Sequence, residues 1–324
     1  MSRVSVIIPC CNSINFIEKC LLSLERQTFK DFDIIVIDDC SKDGTADFVS
    51  KYATCSELKI TVLRNEVNLG PSASREKGIA CSKAEFVAFC DSDDRYDSTY
   101  IEKMLAKADE ISADMVFCGY KTVRKIRGKT ITTEHRTACS ATQLDKRSVF
   151  KINIDSLNIL LIRRSILSGI KGPDIRNGED MAVIPVIILK SQRFGAVDEC
   201  LYNYVYRQGS ASLAANEKIV ESLIKSFDYI KLNILKEYRS ECEFIGINNL
   251  IYGALLCLFK FSCDRTKAEE ILKNFEHEFP NWHKNKLIKG LPAYRRIFLW
   301  AASNRFFFIL KILSYIHTIL TRNK

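Results

Sequence analysis

Apolar residues in the first hundred positions fall into four short runs separated by amphipathic stretches. Residues 4–8 form a β-branched run that stops at Pro9, which predicts a buried strand. Asn12 or Ser13 is placed to cap the next helix, whose Phe16, Cys20, Leu21 and Leu24 share one face. Residues 33–37 repeat the strand signal and end in Asp38-Asp39; Asp43-Gly44-Thr45 then turns into a helix with Ala46, Val49 and Ala53 inward. A third strand is predicted over 59–63, followed by a turn at Asn68-Leu69-Gly70-Pro71 and a helix over 72–81. A fourth strand over 85–90 runs into Asp91-Ser92-Asp93-Asp94. This alternation has the spacing of right-handed βαβ units, so the fold class is α/β with a parallel sheet. Ligands of such sheets lie beyond the carboxyl ends of the strands, and three of those ends carry polar groups: Cys11-Asn12, Asp38-Asp39 and 91–94.

Beyond a fifth strand at 113–118 the pattern loosens. Residues 121–133 alternate like a hairpin, 181–190 read as a helix after Gly178-Glu179-Asp180, and 201–207 alternate like a strand. Strand signals then cease, and helical periodicity takes over at 217–239, 245–261 and 267–278. The expected division is therefore an α/β domain over 1–213 and a helical region over 214–324.

Composition changes this picture only locally. The 324 residues are 47% hydrophobic and 27% charged, which excludes disorder and collagen-like repeats. Thirteen cysteines with no C-x-x-C pair suit free thiols in a reducing cytosol. No run reaches the ~18 uninterrupted apolar residues of a membrane span, so a cytoplasmic location is expected. The net charge of +9 is concentrated in one place, because residues 279–324 hold nine Lys and Arg and no Asp or Glu. A nucleic-acid enzyme would spread basic residues over its working face; this asymmetry points to a local partner for the basic segment, which is amphipathic from about 284. Within 306–320, Lys311, Ser314 and Thr318 fall on one side and Phe306, Ile309, Leu310, Leu313 and Leu320 on another. That pattern suits either an interfacial helix on an anionic inner membrane surface or a helix packed on protein.

The acidic residues carry the candidate chemistry. Asp91-x-Asp93-Asp94 puts three carboxylates within four residues, and such like charges repel unless a cation neutralises them. Oxygen donors of this kind suit Mg²⁺ or Mn²⁺ bridging to phosphates; the alternative is a helix cap from Asp94 or Asp97. Asp38-Asp39 is either an Asx-turn with Ser41 or a base-binding pair. Glu179-Asp180 is either a capping pair or the carboxylate that accepts a proton from a hydroxyl. Arg75 and Arg207 are candidates to clamp a diphosphate. There is no P-loop and no G-x-G-x-x-G after the first strand. The four histidines lie outside every cluster, which disfavours a Ser-His-Asp hydrolase or a His-rich zinc site.

Together, Val-Ser-Val-Ile-Ile-Pro-Cys-Cys-Asn (4–12), Ile-Ile-Val-Ile-Asp-Asp-Cys-Ser-Lys-Asp-Gly-Thr (34–45), Asn-Leu-Gly-Pro-Ser-Ala-Ser-Arg (68–75) and Phe-Cys-Asp-Ser-Asp-Asp (89–94) resemble the family 2 glycosyltransferases of GT-A fold. The resemblance covers about the first 210 residues. It implies a Rossmann-like, mixed but mostly parallel sheet flanked by helices, and inverting transfer of a sugar from a nucleotide-sugar, usually a UDP-sugar, to a hydroxyl. By position, Asp39 would bind the uracil, with Pro9, Cys11 and Asn12 on the nucleotide side and Arg75 near base or phosphate. Asp91 would contact the ribose, Asp93 the divalent metal with Asp94 supporting it, and Asp180 would be the general base, while Arg207 would offset diphosphate charge. The family usually carries Tyr before the Asn of the first motif, its ring packing on the base; here that residue is Cys11. The arginine loop at 207–212 lacks the family's frequent histidine. A glycan or lipid-linked acceptor of surface-polysaccharide assembly is implied, with no nucleic acid. The rival readings are a nucleotidyltransferase or sugar-phosphate enzyme on a similar sheet, and a nucleotide-sugar-binding subunit without chemistry.

Overall fold

The computed structural model describes residues 1–126, 128–136, 144–175, 177–206 and 216–322. It contains nine strands and thirteen α-helices among those residues. The first half runs β1 (Val4–Cys10), α1 (Ile17–Glu25), β2 (Phe32–Asp38), α2 (Thr45–Cys55), β3 (Lys59–Arg64), α3 (Pro71–Cys81), β4 (Phe86–Phe89), β5 (Arg95–Tyr96) and α4 (Tyr100–Ile111). It continues with β6 (Met115–Ile126), β7 (Lys129–His135), α5 (Lys146–Ile152), β8 (Leu160–Arg163), α6 (Arg164–Leu167), α7 (Glu179–Lys190) and β9 (Phe194–Val205). Helices α8 (Glu217–Asn233), α9 (Arg239–Gly246), α10 (Leu255–Phe261), α11 (Arg265–Glu278), α12 (Ala293–Ser303) and α13 (Phe307–Arg322) complete it.

All nine strands belong to one sheet, in the order β3-β2-β1-β4-β8-β6-β9-β5 with β7 paired to β6. β3, β2, β1 and β4 are mutually parallel, as three successive βαβ units require. β8 then runs antiparallel to both β4 and β6, and β6 is parallel to β9, which makes the sheet mixed. The 121–133 alternation is indeed a hairpin, with Tyr120 opposite His135. β1 is buried along nearly its whole length because helices cover both faces of a parallel sheet. Each Ile or Val so buried contributes about 1.5–3 kcal/mol.

Several boundaries differ from the sequence reading for identifiable reasons. β1 does not stop at Pro9 but continues to Cys10. Its pairing with β4 ends at Ile7 opposite Phe89, so Pro9 lies where no β4 carbonyl demands an N–H. Pro71 opens α3 instead of preceding it, since proline suits the first helical position. Neither Asn12 nor Ser13 caps α1 through its side chain. Asn12 sits in the left-handed region (φ 51°), and its Oδ1 accepts the Lys42 N–H instead.

The chain packs as two compact units: residues 1–176 with 183–208, and residues 177–182 with 209–324. The division expected near residue 213 falls within 207–215, outside the described residues. Segment 177–182 goes with the helices because the Ser226 hydroxyl on α8 donates to the Gly178 carbonyl at 2.9 Å. The helical unit is built on aromatic packing around Phe275, whose ring centroid lies 5.7 Å from Phe227, 5.1 Å from Phe279 and 6.3 Å from Trp282. The continuous helical run over 236–261, in which a π-helical stretch at Ile247–Ala254 joins α9 to α10, is long and apolar enough to cross a membrane by length and composition, yet 89% of its most apolar window is buried within the protein, as in a core helix. On α13, Leu310 and Ser314 both point inward. The outward side carries Phe308, Ile312, Tyr315 and Ile319, which corrects the expected grouping of Ser314 with Lys311. Every described cysteine is a free thiol.

Candidate active site

Three loops at the carboxyl ends of β1, β2 and β4 are stitched into one surface. The Asn12 N–H donates to Ser41 Oγ at 2.9 Å, joining the loops after β1 and β2. Ser13 Oγ lies 2.7 Å from Ser92 Oγ, joining those after β1 and β4. Sequence spacing places each loop at a strand end; only the sheet order, with β1 between β2 and β4, makes them neighbours.

The two carboxylates after β2 divide the work of ordering this edge. Asp38 is buried, accepting the Ser41 N–H at 3.2 Å and facing Arg64 Nε at 3.4 Å. The Asx-turn with Ser41 is therefore real and belongs to Asp38. Asp39 grips the entry to α3: Oδ1 accepts from Leu69 N and Asn65 Nδ2, and Oδ2 accepts from Gly70 N at 2.8 Å. Gly70 can serve there because its φ of 88° lies where a side chain would be strained. A carboxylate offers about four acceptor positions, so Oδ2 retains capacity for a further donor.

Helix α3 carries this anchoring onward. Its Arg75, almost wholly buried, donates from Nη2 to Asp91 Oδ1 at 3.0 Å. Asn158 Nδ2 takes the other oxygen, Asp91 Oδ2, at 2.9 Å. Asp39, Arg75 and Asp91 are thus parts of one assembly. Gly78 lets α3 lie close on the sheet, for a Cβ there would meet Ile7 Cγ2 at 2.6 Å and Ile37 Cδ1 at 2.9 Å.

In the acidic loop the three carboxylates occupy different environments. Asp94 is buried, its Oδ1 accepting the Val205 N–H at 2.7 Å and its Oδ2 the Tyr202 hydroxyl. Burial, with Asp91 and Asp93 adding repulsion, pushes the Asp94 carboxyl well above the usual range. Asp94 is not a helix cap: α4 begins after Thr99, whose N–H and hydroxyl are held by Asp97. Asp93 is half-buried. No group of three or more His, Cys, Asp or Glu among the described residues could enclose a metal alone. Oxygen donors from one accessible carboxylate fit a hard divalent cation that also takes phosphate oxygens and water.

At the first motif, Pro9 lies in β1 and Cys11 is exposed just past it. Asn68 Nδ2 donates to Cys11 Sγ at 3.2 Å and to the Asp39 carbonyl at 3.3 Å, tying Cys11 to the Asp39 loop. Partial burial pushes the Cys11 thiol up, the Asn68 hydrogen bond opposing and the Asp39 charge adding to it, which makes it a poorer nucleophile than a free thiol. Asp180 and Glu179 form the first turn of α7 in the helical unit, behind Gly178 with its left-handed φ of 79°. Arg207 lies outside the described residues. Sequence reasoning missed Asn158 and Tyr202, which hold Asp91 and Asp94 from 67 and 108 positions away. The alternating Tyr202, Tyr204 and Tyr206 marked a strand, yet nothing in the alternation pointed to the acidic loop.

A mixed sheet with parallel β3-β2-β1-β4 and an acidic loop at the end of β4 defines a GT-A-type fold. Residues 5–170 match the family described as Glycosyl transferase family 2, and the chain belongs to that family of sugar-transferring enzymes. Among relatives, it is 29% identical over 214 residues to TuaG of Bacillus subtilis (strain 168), provisionally named a teichuronic acid biosynthesis glycosyltransferase; the match covers 66% of this chain and 82% of TuaG. It is 26% identical over 285 residues to the poly(ribitol-phosphate) beta-N-acetylglucosaminyltransferase TarS of Staphylococcus aureus (strain Mu50 / ATCC 700699). That match covers 87% of this chain and 48% of TarS, so the chain spans about half the length of that relative. A crystal structure of S. aureus TarS 1-349 in complex with UDP-GlcNAc superposes with a TM-score of 0.66 at 22% identity, covering 98% of this chain and 92% of that one. The mannosyltransferase PcManGT of Pyrobaculum calidifontis, in complex with GDP-Man and Mn²⁺, gives a TM-score of 0.59 at 14% identity, over 94% of this chain and 86% of that one.

Proposed function

We propose that this enzyme transfers a sugar from a UDP-sugar to a hydroxyl of a glycan or lipid-linked glycan acceptor, with inversion, in the assembly of a cell-surface polymer. The observation that supports this reading is the joining of Asp39 to Asp91 through α3 and Arg75, next to Asp93. A rigid distance between two carboxylates is what a nucleoside requires, one accepting a base N–H and the other meeting the ribose. Asp39 Oδ2 takes the uracil N–H, while Asp91, fixed by Arg75 and Asn158, faces the ribose. Pro9, Cys11 and Asn12 border the nucleotide. Asp93 would hold Mn²⁺ or Mg²⁺ for the diphosphate, and Asp94 supports that loop from behind through Tyr202 and Val205. A divalent cation held there would offset the negative charge that grows on the diphosphate as it leaves, and Arg207 would contribute in the same sense.

Asp180 serves as the general base. It takes the proton of the acceptor hydroxyl as that oxygen attacks the anomeric carbon from the face opposite the diphosphate. The bond to the diphosphate breaks with its electron pair, and one displacement inverts the centre, as in inverting glycosidases. The names of TuaG and TarS support a polymer acceptor.

The experiment is a panel of UDP-sugars with glycan acceptors in the presence of Mn²⁺, followed by NMR of the products. Release of UDP with a glycoside of inverted anomeric configuration is expected. Release of pyrophosphate would favour a nucleotidyltransferase, and UDP-sugar bound but never consumed would favour a binding subunit.

A further inference from the structure

We propose that helices α12 and α13 dock the protein on an anionic lipid surface through an apolar, aromatic face bordered by basic residues. Two independent observations carry this. The first is exposure: Phe308 and Tyr315 on α13 are 69% and 68% exposed, and Ile312 and Ile319 stand exposed on the same side. Positions 308, 312, 315 and 319 recur at helical spacing, so they form one stripe. Ile297 and Trp300 are exposed on α12, and the Trp300 ring lies 5.3 Å from that of Phe306, which joins the two helices into one surface. The helices do not need this face for packing. They are held by Phe298, Leu299, Ala301, Ala302 and Leu310 on the inward side, and Phe307 stacks on Phe259 at 6.0 Å.

The second observation is charge. Residues 279–324 contain no Asp or Glu. Of their basic residues, Arg305 is spent internally, donating to Glu276 at 2.6 and 2.8 Å and to Glu269 at 3.1 Å. Arg295 lies 4.7 Å from the centroid of the Tyr252 ring. Lys284, Lys286, Lys289, Arg296 and Lys311 remain exposed. Arg296 adjoins Ile297, and Lys311 adjoins Ile312 and lies one turn from Phe308 and Tyr315. Aromatic side chains flanked along their own segment by basic residues and no acidic ones match an interface of acyl chains and anionic headgroups. A second copy of this chain is a poorer occupant, since a two-fold contact would lay one basic border on another.

The test is flotation of the full chain with vesicles of phosphatidylglycerol and phosphatidylcholine in equal parts, against vesicles of phosphatidylcholine alone. Binding to the anionic vesicles only is expected. The pair Arg296→Gln and Lys311→Gln should weaken partitioning about thirtyfold. The pair Phe308→Ser and Tyr315→Ser should abolish flotation, and both variants should keep the thermal midpoint of the parent, because every altered side chain points to solvent. Equal flotation of all variants, equal binding to neutral vesicles, or no binding at all overturns the proposal. So does a dimer that dissociates in Phe308→Ser with Tyr315→Ser but never floats, which would assign the face to a second copy. None of these outcomes depends on the sugar donor or on the base, so failure here leaves the catalytic reading intact.

Discussion

The Asp94 carboxyl group accepts the Tyr202 hydroxyl in a buried hydrogen bond that fastens the acidic loop after β4 to strand β9. The same Tyr202 oxygen accepts the Asp91 N–H at 3.4 Å, so one phenol fixes the backbone at one end of the loop and the side chain at the other. Burial holds the Asp94 carboxyl well above its ordinary range. Against an unfolded value of about 3.9, protonated Asp94 contributes stability that is complete below that pH and is lost as pH rises through the folded value. Asp94→Asn should therefore show a flatter profile of urea midpoint against pH in chelator, the gap from the parent opening above about pH 4. Parallel profiles would mean that folding leaves the Asp94 carboxyl at its ordinary value.

Removing Arg75 should damage both folding and donor binding. Arg75→Met removes the guanidinium from Asp91 Oδ1, keeps the Asn158 amide on Oδ2, and cuts the link from α3 to the acidic loop. Because Asp91 is partly exposed, the expected loss is about 1–3 kcal/mol, below that for a fully buried pair. UDP binding followed by calorimetry should weaken at the same time. A variant that loses stability while binding UDP normally would confine Arg75 to structure.

Asp180→Asn should keep UDP affinity and lose about 10²–10⁴-fold in turnover, the usual worth of a positioned base. The comparison needs kcat and calorimetric Kd on the same preparation. Unchanged turnover would remove the base assignment.

Cys11→Tyr places a ring beside the Asp39 loop, where Asn68 now meets a thiol. If a base stacks there, UDP should bind about two- to tenfold tighter, measured by calorimetry with and without Mn²⁺. No gain, or a loss, would move the base elsewhere.

Gly78→Ala tests the close seat of α3. The added Cβ would press on Ile7 and Ile37 in the core, costing about 1–3 kcal/mol. The strain should also reach the Arg75 to Asp91 contact, so the urea midpoint and UDP affinity should fall together.

Much of this was legible beforehand because it rests on local rules. The four strand-and-helix alternations, the polar groups at three strand ends and the helical character after residue 216 follow from periodicity alone. The sequence also narrowed Asp38-Asp39 and the acidic loop to a few roles, though not which carboxylate took which partner. Asp38 turned out to hold Ser41, and Asp39 the start of α3.

What remained hidden depended on pairings between distant positions. Asn158 and Tyr202 reach the acidic loop because β8 runs antiparallel to β4 and because β5, immediately after that loop, pairs with β9. On α13 the 3.6-residue period identified a helix with two unlike faces, but packing decided that Leu310 and Ser314 turn inward while Phe308 and Tyr315 meet solvent. Periodicity fixes which residues share a face, since that is a property of one helix or strand; which face is covered is set by the neighbouring element, and the neighbour is chosen by tertiary contact.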